Sequence, residues 1–87
     1  MYYVYILQSQ KNKKFYIGST NNIERRLLEH NSGKTKSISN ITPLSLVFKK
    51  EFETLKEARV IEMKLKRFKN RNIIEAIVSQ QKLKMGL

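Results

Sequence analysis

Two runs of aromatic and β-branched residues, Tyr2 to Leu7 and Phe15 to Ile17, flank the polar stretch Gln8-Ser9-Gln10-Lys11-Asn12-Lys13. Runs of this kind bounded by turn residues pair as antiparallel strands, so the chain opens on a β-hairpin and everything after it must pack against that hairpin. Side chains alternate between the faces of a strand. Tyr3, Tyr5 and Leu7 therefore share one face and Val4 and Ile6 the other, while Tyr16 projects opposite to Phe15 and Ile17. Tyr5 and Tyr16 are thus able to share a sheet face. Gly18 is expected to end the second strand, and its missing Cβ to let a backbone or a ligand come close.

Asn21-Asn22 offers an N-cap to Ile23, Leu27 and Leu28 at helical spacing, and Asn31-Ser32-Gly33 is a stop signal, which predicts a helix over roughly residues 22 to 31. Gly33 to Thr42 is polar and basic, hence a loop. A third strand is expected over Pro43 to Phe48, with proline at its first residue where no ladder donor is needed. Thr54 and Glu57 match a capping box that opens a second helix running to about Lys69. Asn70-Arg71-Asn72 breaks the pattern before Ile73, Ile74, Ile77 and Val78 define a third. The order is ββαβαα, an α+β fold with a small three-stranded antiparallel sheet flanked by helices. At 87 residues one domain is expected, spanning 1–87.

Composition narrows the chemistry. There is no Cys, so disulfides, thiolate chemistry and Cys-based zinc sites are excluded. His30 is the single histidine, and all seven acidic residues are Glu, which disfavours a carboxylate cage for two metals. Eighteen Lys and Arg against those seven acids give a net charge of +11, and a polyanionic partner, nucleic acid first, follows. The longest apolar run, Val4 to Leu7 interrupted by Tyr5, is far short of the roughly 20 residues of a membrane span. The N-terminal run has no signal-peptide pattern. The chain is expected to be soluble and cytoplasmic, without a membrane partner.

Glu62 is the informative anomaly. Leu55, Ala58, Ile61, Leu65 and Phe68 form the apolar arc of the second helix, and Glu62 falls inside it. A carboxylate facing a core costs several kcal/mol unless it is paired or holds a cation. Two readings stand: a partly buried salt bridge to Arg or Lys, or a ligand for one hard divalent ion completed by water and phosphate. Arg26 and His30, four apart, share a face of the first helix, whereas Arg25 points elsewhere.

Val4-Tyr5-Ile6 followed by Tyr16-Ile17-Gly18 resembles the paired signature of the GIY-YIG nucleases. Arg26 stands ten residues beyond Tyr16, His30 four further on the same helix, and Glu62 on the next long helix. The likeness extends over most of the chain and is closest to the small standalone bacterial members, similar to the N-terminal nuclease domain of the bacterial excinuclease. It implies that Tyr5 and Tyr16 are the motif tyrosines and Arg26 the family's arginine. His30 would take the position held by His or Tyr, Gly18 that of the close-approach glycine, and Glu62 would bind the metal. Tyr3 and Val4 replace the Gly-Ile of the first motif. The loop before Pro43 keeps only Lys34 and Lys36 of the several basic residues that related proteins carry there.

What the resemblance implies is an endonuclease hydrolysing DNA phosphodiester bonds with one Mg2+ or Mn2+ on Glu62. Tyr5 or Tyr16 would activate water, Arg26 would stabilise the phosphoryl charge and His30 would assist. Those five side chains are expected to line a single shallow pocket. Gly18, Lys34, Lys36, Arg59, Lys66, Arg67, Lys69 and Arg71 are the expected contacts to nucleic acid. The alternative is a non-catalytic nucleic-acid-binding module on the same fold. A second copy of the chain or a protein partner remains open as a source of specificity.

Overall fold

The computed structural model describes residues 1–31, 43–68 and 71–81. The chain folds as an α+β structure in the order β1 (Tyr2–Ser9), β2 (Phe15–Thr20), α1 (Ile23–Asn31), β3 (Leu44–Phe52), α2 (Leu55–Arg67) and α3 (Arg71–Gln80). The sheet is antiparallel with strand order β2-β1-β3, so β1 is central and β2 and β3 are edges. No helix among the described residues is long and apolar enough to cross a membrane.

The alternation of β1 divides the molecule. Val4 and Ile6 join Phe48, Ala58, Leu65, Ile74 and Ile77 in a core on the side of α2 and α3, with Phe15 and Ile17 packed against it. Tyr5, Leu7 and Leu44 cluster on the opposite face with Tyr16, Ile23 and Leu27, on the side of α1. A register shift between Ile6 and Leu7 pairs them with Phe48 and Leu46, leaving Val47 as the extra residue of β3. That bulge lets Val47 and Phe48, neighbours in sequence, both reach the α2 side.

Several boundaries differ from the sequence expectation. β1 runs on through Gln8 and Ser9, which are expected in the turn, β3 starts at Leu44 rather than Pro43, and α2 ends at Arg67. β2 continues through Ser19 and Thr20 rather than ending at Gly18, because Tyr3 and Val4 supply ladder partners for both. β3 extends to Phe52 through Lys49, Lys50 and Glu51, charged residues that an edge strand exposes to solvent. Arg71 and Asn72 belong to α3 rather than to the break before it.

Local chemistry fixes the helix ends. The Asn22 Oδ1 accepts from the Arg25 amide at 3.0 Å and caps α1. Thr54 caps α2, its Oγ1 accepting from the Glu57 amide at 3.2 Å and donating to the Glu57 carboxylate at 2.9 Å. α1 contains no fully buried residue. It is tied down instead by Asn31, whose side chain accepts from the Leu44 amide at 2.7 Å and donates to the Leu44 carbonyl at 3.1 Å.

Candidate active site

Tyr5 is 6% exposed, and its phenol lies across Gly18, the residue opposite it in the ladder. A Cβ on Gly18 would meet Tyr5 Oη and stand 2.6 Å from its Cζ. The space left by the missing side chain is therefore filled by the tyrosine itself. A Gly18→Ala variant is expected to lose about 1 to 3 kcal/mol, the usual cost of an overpacked interior, together with activity. Thermal melting checks this, and a variant as stable and as active as the wild type would contradict it.

Tyr16 pairs with Leu7 and so stands on the same face as Tyr5. A cavity of about 200 Å3 is lined by Tyr5, Leu7, Tyr16, Ile17, His30 and Leu44. Tyr16 Oη accepts from the Asn12 amide group at 3.2 Å, which leaves its own O–H available as a hydrogen-bond donor. α1 adds Arg26 and His30 above this face. Both carry a buried nitrogen with no hydrogen-bond partner, Nε of Arg26 and Nδ1 of His30. Unpaired buried donors and acceptors are costly, and their presence marks groups held for something other than stability. The Arg26 Nη1 is 3.9 Å from the Glu29 carboxylate, while Arg25 sits apart on the exposed side with Asn21 and Glu29.

Glu62 approaches from the other side of the sheet. α2 packs on the Val4 and Ile6 face, and Glu62 does not line the cavity that holds both tyrosines. The single pocket expected from the sequence is therefore two-sided. What brings Glu62 to the rim is Ser19, whose side chain points to the α2 side of edge strand β2 one residue after Gly18. Its hydroxyl donates to Glu62 Oε1 at 2.5 Å, and Lys66 donates to Oε2 at 2.7 Å. The side chain of Glu62 is 19% exposed. The salt bridge expected as one of its two roles is present, and the carboxylate still meets solvent at the sheet edge.

Electrostatics link the two sides. Burial raises the Tyr5 phenol above its ordinary value; the Arg26 charge opposes this, and Glu62 and Glu29 add to it. Tyr5 thus keeps its proton at neutral pH. Burial and the Arg26 charge hold His30 below its ordinary value against the opposing pull of Glu29, so its imidazole is neutral at pH 7. Burial pushes the Glu62 carboxyl up, but hydrogen bonds from Lys66 and Ser19 and the charges of Lys66 and Arg59 outweigh it and hold the group ionised.

The remaining basic candidates are dispersed. Arg59 and Arg67 are exposed on α2. Lys66 is committed to Glu62. Arg71 binds Glu75 at 2.6 Å and the Lys13 carbonyl at 2.8 Å, and stacks over the Phe15 ring at 4.8 Å. Lys34, Lys36 and Lys69 lie outside the described residues. Ser19 escaped the sequence reading, although the period-two alternation from Phe15 and Ile17 places it, a polar residue, on the apolar face.

A hard divalent ion suits this donor set. Among the described residues no group of three or more His, Cys, Asp or Glu comes together. One anionic carboxylate at a wet edge fits magnesium, which keeps several waters and takes further oxygens from phosphate.

Residues 1–74 match the GIY-YIG catalytic domain. The UPF0213 protein of Staphylococcus haemolyticus is 36% identical over 85 residues, covering 97% of this chain and 92% of the relative. That of Clostridium perfringens is 36% identical over 81 residues, covering 92% and 86%. The solution NMR structure of a UPF0213 protein from Bacillus halodurans superposes with a TM-score of 0.59 at 35% identity, covering 93% of this chain and 86% of that one.

Proposed function

Because the chain belongs to the GIY-YIG catalytic-domain family, we propose that it is a divalent-metal-dependent endonuclease that hydrolyses DNA phosphodiester bonds. The observation that carries this is the gathering of Tyr5, Tyr16 and His30 around one cavity, beside an arginine whose buried Nε has no partner. The rest of the guanidinium is accessible, the side chain being 41% exposed, and its Nη donors would meet a phosphate oxygen.

In this reading Arg26 brackets the scissile phosphate through its planar fork and stabilises the charge that grows on the phosphoryl oxygens. Tyr5, which holds its proton, donates to a phosphoryl oxygen. Tyr16 faces the same cavity and passes the proton of the attacking water to neutral His30, whose Nδ1 is unoccupied. Glu62, kept ionised and oriented by Ser19, would hold Mg2+ or Mn2+, which when bound neutralises developing charge and assists the departing 3′ oxygen. Lys66 must release one carboxylate oxygen for this, and its ammonium then lies beside the incoming phosphate.

The Glu62–Lys66 pair also favours a second reading, a nucleic-acid-binding module in which that pair is purely structural. Incubation with purified duplex, branched and single-stranded DNA, with Mg2+ or Mn2+ and with chelator, separates the two. Divalent-dependent cleavage of one or more substrates is expected. Binding that is indifferent to chelator, with no cleavage of any substrate, would leave the binding module.

The pH dependence follows from His30. A base whose conjugate acid titrates below its usual 6.5 stays competent through that pH, so kcat/KM is expected to hold down to it and decline only in more acid solution. An acid limb centred above 6.5, or one unchanged in His30→Ala, would remove His30 from the proton path.

A further inference from the structure

A groove of about 560 Å3 runs along the outer side of β2, between that strand and the facing ends of α2 and α3. Lys14, Lys66 and Arg71 are among the residues lining it, and none of the described residues that line it is acidic. Lys66 and Arg71 keep about half of their side-chain surface in solvent despite their carboxylate partners, at 55% and 47% exposed. Phe68 closes the end of α2 and is 38% exposed, belonging to neither core cluster. Phe68 thus offers accessible aromatic surface beside three cationic side chains, the combination that binds unpaired nucleotides. Phe15 is not a second open face, because the Arg71 guanidinium covers it.

The groove adjoins the site across edge strand β2. Tyr16 and Ile17 line both it and the smaller cavity, and Lys66 is the residue that grips Glu62. A strand whose phosphate lies between Arg26 and Glu62 would pass Lys66, which lines the groove, on crossing the edge of β2.

We propose that this groove seats an unpaired nucleotide adjoining the scissile phosphate, its base stacked on Phe68 and its phosphate met by Lys14 and Arg71. The proposal rests on the nuclease reading above and names its substrate class: DNA with unstacked nucleotides beside the cut, as in a single strand, flap or gap. Bases within duplex DNA keep both faces stacked on their neighbours and have none to offer an aromatic side chain. An unpaired base has a free π face and stacks without regard to sequence.

The test is fluorescence anisotropy in chelator, where nothing is cut, using a labelled oligothymidylate of about ten nucleotides and a blunt duplex of similar length. Phe68→Ala is expected to weaken oligothymidylate binding roughly tenfold, the scale of one lost stacking contact, and to leave the duplex within about twofold. Phe68→Leu keeps apolar bulk without a π face and is expected to show the same selective loss. It decides the matter if the alanine variant melts. Oligothymidylate binding unaltered in Phe68→Leu, or equal losses on both ligands, would overturn the proposal. Because the assay requires no cleavage, a protein that never cuts yet shows Phe68-dependent strand binding would refute only the nuclease reading. Cleavage with Phe68-independent binding would refute only this one.

Discussion

Replacing Glu62 with alanine is expected to lower divalent-dependent cleavage at least about a hundredfold, the scale of removing one group that stabilises transition-state charge. No cluster of metal-binding side chains among the described residues stands ready to take over. Glu62→Gln sharpens the test, because it preserves an acceptor for the Ser19 hydroxyl while abolishing the charge. It is expected to be as inactive as the alanine variant and to lose Mn2+ binding by titration calorimetry. Stability should change little in either, since the Lys66 partner is largely solvated and exposed ion pairs contribute about 0 to 1 kcal/mol. Cleavage at wild-type rate by a folded Glu62→Gln protein would discard the metal role.

Arg26→Ala is expected to cost at least about a hundredfold as well, with a second signature that a structural arginine would not show. In the free protein its Nε is buried without a partner, a state that costs stability rather than conferring it. The alanine variant should therefore melt at or above the wild-type temperature while losing activity. The Arg26 charge also depresses His30. Its removal should move the acid limb of kcat/KM toward higher pH. Arg26→Lys retains a charge but not the planar fork and is expected to recover little. Full activity in Arg26→Lys, or a melting temperature that falls sharply in Arg26→Ala, would assign the residue to packing.

The hairpin, the three helices and the order of elements were legible in the sequence because each is written in local patterns. These are the alternation through Tyr2 to Leu7, the cap at Asn22 and the Thr54–Glu57 pair. The ends of β2 and β3 were not. Gly18 reads as a terminator in isolation, yet it lies within a strand because the partner side chain of Tyr5 needs its space, and that is information about another strand. Lys49 to Glu51 look like a loop until β1 supplies their ladder. Leu55 and Phe68 read as core positions of α2 by spacing, but they lie at its ends and both are exposed. The anomaly of Glu62 was visible from its place in the apolar arc. The sequence could not say that Tyr5 and Glu62 approach from opposite faces and meet only around an edge strand. That depends on how α1 and α2 distribute across the sheet, and the decisive bond, from Ser19, spans 43 residues of chain.

β1 contributes Val4 and Ile6 to one face and Tyr5 to the other, so interior packing and chemistry are interleaved residue by residue along eight positions. A one-residue insertion or deletion near its start would present valine or isoleucine where the phenol now lies and turn tyrosine into the hydrocarbon interior. The two properties cannot be tuned separately there. Mutational drift in this strand is confined to substitutions that respect parity, and any engineering of the fold has to begin elsewhere.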